Sequence, residues 1–279
     1  MQFSEVTRDR ARQIIARYPV GRSRSALLPM LHLVQSEQGY VSPDGMAFCA
    51  ELLGITKAQV AAVATFYTMY KRRPTGDWLV SVCTNTMCGV LGGDAAYQRL
   101  SELLGVGHDE TTEDGSITLE HAECLAACDY APVMTVNYEF FDQVDAESAV
   151  DVVETLRRGK RPVPTRGAGL CTFKEMSLQL AGFFDEREGA LGEGPAGEPT
   201  LAGNRLAERH GVAVAGFDPD TPIGGDERKA PASPVVKPGA ERVVTEKDRP
   251  AKDTPPAAKS AAETRRRART RKTDGEESR

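Results

Sequence analysis

Four cysteines in two close pairs, Cys83-x4-Cys88 and Cys124-x3-Cys128, are the residues in this chain best suited to chemistry. Thiolates are the preferred protein donors to iron–sulfur clusters, and a [2Fe–2S] cluster takes four of them. Each tetrahedral iron needs two terminal sulfurs beside the two bridging sulfides. Two cysteines three or four residues apart in a loop can clasp one iron, and a second such loop can clasp the other. Gly89, Gly92 and Gly93 follow the first pair, where backbone can pass close to a cluster. Spacing alone favours a cluster but leaves structural zinc open, since four thiolates also hold zinc, most often from C-x-x-C pairs. A thioredoxin-type dithiol would want C-x-x-C, which neither pair has. Two structural disulfides do not suit a reducing compartment.

The elements that must position these cysteines can be read from pattern. Glu5 to Tyr18 carries apolar residues at helical spacing, and Pro19 ends it. A second helix is expected over residues 23–38, with Pro29 in its first turns and Gly39 as its stop. Ser42-Pro43 caps a third helix that runs to Leu53, and Thr56 to Gln59 is a capping box opening a fourth. Residues 1–72 therefore read as a helical bundle. After the break at Arg73-Pro74-Thr75-Gly76, Trp78 to Val82 reads as a buried strand running into Cys83. An amphipathic helix over 94–104 follows, then a strand through Ile117 and Leu119 leading to Cys124. A hairpin over 133–144 and a last helix over 146–158 complete a compact α/β unit spanning 77–160.

Beyond Thr165 the pattern thins. Phe173, Met176, Leu178, Leu180, Phe183 and Phe184 form one apolar patch, so residues 161–184 are expected to be a docking segment. Residues 185–279 hold only eleven Leu, Ile, Val or Phe in 95, too few to offset an ordering cost of roughly 1–2 kcal/mol per residue. They are expected to be disordered or extended. With 18 acidic and 18 basic residues that tail is neutral, so the net charge of −5 sits on the first 184. An acidic chain argues against a nucleic-acid binder. No apolar run approaches the roughly 18 residues of a membrane span, and the N-terminus lacks a signal-peptide core. The expected location is cytosolic.

Several separate segments then carry a resemblance. Ala26-Leu27-Leu28-Pro29-Met30-Leu31-His32-Leu33, Val63-Ala64-Thr65-Phe66-Tyr67 and the run from Glu123-Cys124-Leu125-Ala126-Ala127-Cys128 to Met134 resemble the E subunits of NADH–quinone oxidoreductase, respiratory complex I, a thioredoxin-like [2Fe–2S] ferredoxin family. The resemblance covers about residues 5–158. It implies an α/β (α+β) chain: a helical bundle followed by a thioredoxin-like domain. It further implies one [2Fe–2S] cluster on Cys83, Cys88, Cys124 and Cys128. The implied role is electron transfer with flavin on a partner subunit, in NADH oxidation coupled to quinone reduction and proton translocation. FMN and NADH would sit on that partner, leaving no complete active site and no catalytic residue on this chain. The implied setting is the cytoplasmic side of the plasma membrane, peripheral, among other peripheral-arm subunits, with no membrane span of its own. Ala126 stands where the family commonly has glycine; alanine resists positive φ, and the loop is expected to tolerate it. The related small subunits of soluble NAD-linked hydrogenases and formate dehydrogenases share this core. A zinc-stabilised interaction module is the alternative of another class.

Other features weigh less. Gly192 to Gly197 matches G-x-G-x-x-G but follows no strand and opens no helix, so it reads as composition. The basic run over 265–272 reads as a solvated face, or else as a dock for an acidic surface. Cys49 reads as core filler, and Cys171 has no evident partner. His121, three residues before Cys124, is near enough to influence a cluster there. Asp109 and Glu110 read as a turn.

Overall fold

We describe a computed structural model covering residues 3–183, 185–190 and 197–211. These all fall in one compact unit, residues 1–215; the second unit, 216–279, with its basic run, lies outside the described residues, as does the glycine motif apart from Gly197.

Four helices come first: α1 (Glu5–Ala16), α2 (Leu27–Gln38), α3 (Pro43–Leu53) and α4 (Lys57–Phe66). Their ends follow local chemistry. Ser4, Ser42 and Thr56 accept backbone N–H groups at the N-termini of α1, α3 and α4, and Thr56 completes a capping box with Gln59. Gly39 and Gly54 close α2 and α3 in the left-handed conformation. The expected second helix begins as a 3-10 turn, Ser23–Ala26, before α2. The bundle buries Ile14, Met30, Leu31, Leu33, Val34 and Val60 among themselves.

The second part is a five-stranded sheet of order β2-β3-β1-β4-β5. Its strands are β1 (Trp78–Cys83), β2 (Glu110–Thr111), β3 (Ile117–Ala122), β4 (Met134–Val136) and β5 (Glu139–Phe141). Glu110, expected in a turn, thus belongs to a short strand. β1 and β3 run parallel, with Cys83 opposite Ala122; the other pairings are antiparallel. Alternation sends Val80, Val82, Ile117, Leu119, Met134 and Val136 to one face. There they meet Ala96 and Leu100 of α6 (Gly93–Leu104), and Val153 and Leu156 of α7 (Ala146–Arg157). Between β1 and α6 sits a short helix, α5 (Thr86–Val90).

Two expectations about the C-terminal part change. Within the expected docking segment, residues 161–184, much of the apolar patch turns inward, while Leu180 stays exposed. Phe173 and Met176 are buried on α8 (Phe173–Leu180), which packs against α2, and Ala181 belongs to the bundle core. Residues 198–209, expected to be disordered or extended, form helix α9 (Glu198–Arg209), opened by Gly197 with proline in its first turn.

Two buried amides join these parts. Gln35 on α2 donates to the Met69 carbonyl and to Ser177 Oγ, and accepts from the Lys71 N–H. Asn137 follows β4 in a left-handed conformation (φ 48°) that its type tolerates. Its Oδ1 accepts from Leu79 N, and its Nδ2 donates to the carbonyls of Asp77 and Cys171, all at 2.8 Å. Replacing Asn137 by alanine leaves three backbone groups without that partner. The expected loss is roughly 2–4 kcal/mol of unfolding free energy, read by urea denaturation.

Candidate metal centre

Parallel pairing of β1 and β3 makes both chains leave the sheet at the same end. Cys83 is the last residue of β1, and Glu123-Cys124 follows β3 directly. Cys83 Sγ lies 3.8 Å from the Glu123 carbonyl oxygen, so the first cysteine touches the strand exit that carries the third. Cys88 sits on α5, and Cys128 opens a 3-10 turn, Cys128–Tyr130. The structure thus brings all four sequence-predicted cysteines to one corner.

Their environments differ. Cys83 and Cys88 are buried with Ala127 and Val133 in a small apolar cluster, flanked by Leu125, Tyr130 and Phe140. Cys124 and Cys128 are exposed. Burial pushes the Cys88 thiol up to about 11, helped by its hydrogen bond with Cys83, while the Val133 backbone pulls the other way. Cys128 is also raised, by desolvation first and then by Cys124, through charge and a hydrogen bond. The thiols therefore interact as two pairs, 83 with 88 and 124 with 128, and weaker charge coupling links the pairs through Cys83, Cys88 and Cys128. Among the described residues, no three His, Cys, Asp or Glu side chains are gathered closely enough to hold a single metal ion. Mutual repulsion of thiolates is relieved by a positive centre between them, and a pair-and-pair donor set fits two irons.

The backbone around the pairs is close-fitting. A Cβ on Gly93 would run into the Cys83 carbonyl oxygen and stand 2.9 Å from that of Cys88, so only glycine lets α6 start where it does. Ala126 takes φ 56°, in the left-handed region that costs a non-glycine residue roughly 1–2 kcal/mol. The loop accepts it, and Ala126 N–H points at Cys124 Sγ, 3.4 Å away.

Other candidates fall elsewhere. Cys49 and Cys171 are buried, and burial pushes each thiol up to about 12, so neither is reactive. The His121 ring lies 4.1 Å from that of His108 and 5.7 Å from that of Tyr97. It lines a cleft of about 770 Å³ that also reaches Tyr67, Lys71, Glu120 and Cys124. Sequence reasoning missed Lys71, which is buried in ion pairs with Glu120 and, at 3.2 Å, Asp109. No local signal marks it, because its partners lie 38 and 49 residues away.

A five-stranded sheet backed by two helices, with cysteine loops at the ends of its central parallel strands, defines a thioredoxin-like domain. Residues 11–157 match the model of the thioredoxin-like [2Fe–2S] ferredoxin family, and the chain belongs to that family. The E subunit of the NADH-quinone oxidoreductase of Mycobacterium tuberculosis is 57% identical over 217 residues, 78% of this chain and 83% of the relative. NADH-quinone oxidoreductase subunit 2 of Thermus thermophilus is 34% identical over 172 residues, 61% of this chain and 95% of the relative. A solved NAD+-reducing [NiFe]-hydrogenase aligns at 19% identity with a TM-score of 0.43, over 48% of this chain and 23% of that one, too slight a likeness to carry an argument.

Two substitutions test this geometry in opposite directions. Gly93→Ala should destabilise the fold by roughly 1–3 kcal/mol through the clash with Cys83 and Cys88. Ala126→Gly should stabilise it by about 1 kcal/mol, because the left-handed penalty is removed. Both are read as shifts of the denaturant midpoint.

Proposed function

We propose that this chain is the electron-transfer subunit of an NADH–quinone oxidoreductase, with Cys83 and Cys88 holding one iron of a [2Fe–2S] cluster and Cys124 and Cys128 the other. The observation that carries this reading is the placement of the two cysteine loops at the same end of the adjacent parallel strands β1 and β3, with Cys83 Sγ 3.8 Å from the Glu123 carbonyl oxygen. Family membership and the NADH-quinone oxidoreductase relatives support the same reading.

Bound there, the cluster would supply a one-electron site for flavin on a partner subunit, which itself takes hydride from NADH. The chain's own residues set the conditions. Cys83 and Cys88 are held in an apolar, buried half-site; Cys124 and Cys128 face outward. The Ala126 N–H offers a hydrogen bond to Cys124 sulfur, which stabilises negative charge on that thiolate. Beside Cys88, the exposed side chains Met87, Val90 and Leu91 give α5 an apolar outer surface. That surface adjoins the donor set and suits contact with the flavin-bearing subunit. FMN and NADH belong to that partner, and the coupled steps of quinone reduction and proton translocation to the rest of the assembly. Among the described residues no helix is long and apolar enough to cross a membrane, and a peripheral place on the cytoplasmic face fits this role.

The experiment is anaerobic purification followed by visible absorption, low-temperature electron paramagnetic resonance before and after dithionite, and assay of iron and zinc. The expected protein is brown, with about two irons per chain, and becomes paramagnetic on reduction. Cys124→Ala should abolish the signal, whereas Cys49→Ala should leave it intact. A colourless protein with about one zinc per chain would replace the relay by a structural module. Equal loss in both variants would overturn the ligand set.

A further inference from the structure

The family match ends at residue 157, yet the described chain goes on, and part of it returns to the second cysteine loop. Two separate contacts reach that loop. The first is made by Arg166, which pairs through a backbone bridge with Phe140 of β5. Its guanidinium donates to Asp142 through Nε at 2.7 Å and Nη2 at 2.9 Å, with both side chains largely buried. The same group lies 4.4 Å from the ring centroids of both Tyr130 and Phe140. A guanidinium fixed by a bidentate carboxylate and stacked on two rings is a stiff wedge. It bears on Tyr130, two residues after Cys128.

The second contact is made by α9. Thr200 Oγ1 donates a hydrogen bond to Asp129 Oδ2, and a Cβ on Gly197 would run into the Tyr130 hydroxyl. The rest of α9 is mostly exposed, and none of its residues is buried. Its contacts with the 3-10 turn Cys128–Tyr130 therefore do little to complete a core, but they grip the two residues that directly follow a candidate ligand. That half-site is the exposed one: Cys124 and Cys128 are open where Cys83 and Cys88 are buried.

We propose that Arg166 and α9, both beyond residue 157, are the two jaws of a clamp on the second ligand loop, and that this clamp sets how firmly Cys124 and Cys128 retain the cluster. The inference rests on the cluster reading above. Thr200 and Gly197 are positioning residues, acting on Cys128 through Asp129 and Tyr130. Opening of a loop is a local equilibrium, and its frequency limits how often an exposed sulfur–iron bond meets water or a competing ligand.

The test uses the full chain, with its cluster assembled anaerobically and then mixed with a ferrous-iron chelator. Loss of visible absorbance gives the release rate, and electron paramagnetic resonance of the reduced protein reports the ligand geometry. Thr200→Val should release iron about three- to ten-fold faster than the parent, the range expected for loss of about one net hydrogen bond, and Gly197→Val, whose side chain would push against the Tyr130 hydroxyl, should also release it faster. Thr200→Ser should restore the parent rate. Arg205→Ala, on α9 but paired with Glu198 rather than with the loop, should leave it unchanged. Thr200 is exposed, so its replacement does not threaten folding, and an unchanged denaturant midpoint verifies this. Parent-like release and spectra in both Thr200→Val and Gly197→Val would overturn the clamp, as would equal acceleration by Arg205→Ala. A parent protein without iron would instead overturn the cluster reading itself.

Discussion

The parallel pairing of β1 with β3 is the constraint on which the rest of this molecule depends. Parallel neighbours point their C-terminal ends the same way, so two loops far apart in sequence must emerge side by side. Here those loops begin at Cys83 and just before Cys124. An antiparallel pairing of the same two strands would send the cysteine pairs to opposite ends of the sheet. Helix α6 makes the crossover between β1 and β3, and Gly93 lets it start against the Cys83 carbonyl. The apolar face shared by the strands, α6 and α7 holds this frame, while the cysteines occupy its rim.

The rim is uneven, and the unevenness has a physical source. The first pair follows a central strand and is covered by Ala127 and Val133. The second pair lies on a loop with a left-handed alanine and little cover of its own. A thiolate in the open is better solvated but less restrained than one in an apolar pocket. Segments beyond the family-matched region meet this looser half: Arg166 from one side and Gly197 and Thr200 from the other. The helical bundle is tied in differently, through Gln35 and the Lys71 ion pairs with Glu120 and Asp109. The Lys71–Glu120 pair is sheltered, so its value depends on both partners staying in place, while Asp109 reaches Lys71 from the surface.

Much of this was legible locally. Caps at Ser42 and Thr56, the stop at Gly39, and the apolar run into Cys83 are decided within a few residues, and the structure agrees with them to within a turn. The two cysteine pairs were legible because ligand spacing is itself a short-range property. The fate of Phe173 to Phe183 was not. An apolar helical stretch reads the same whether it awaits a partner or folds onto its own bundle, and only the α2 surface decides between them. Helix α9 was missed for a related reason: its composition resembles that of its polar surroundings.

The sequence by itself determined the spacing of the cysteine pairs, the helix ends and the alternation of the strands, because each is settled by residues within one turn or one pleat. The tertiary structure alone decided that β1 and β3 run parallel, so that four cysteines share a corner, and that Lys71, Asn137, Arg166 and Thr200 matter at all. Those side chains act on partners from 24 to 71 residues away, and no local pattern encodes a contact whose existence depends on how the whole chain closes.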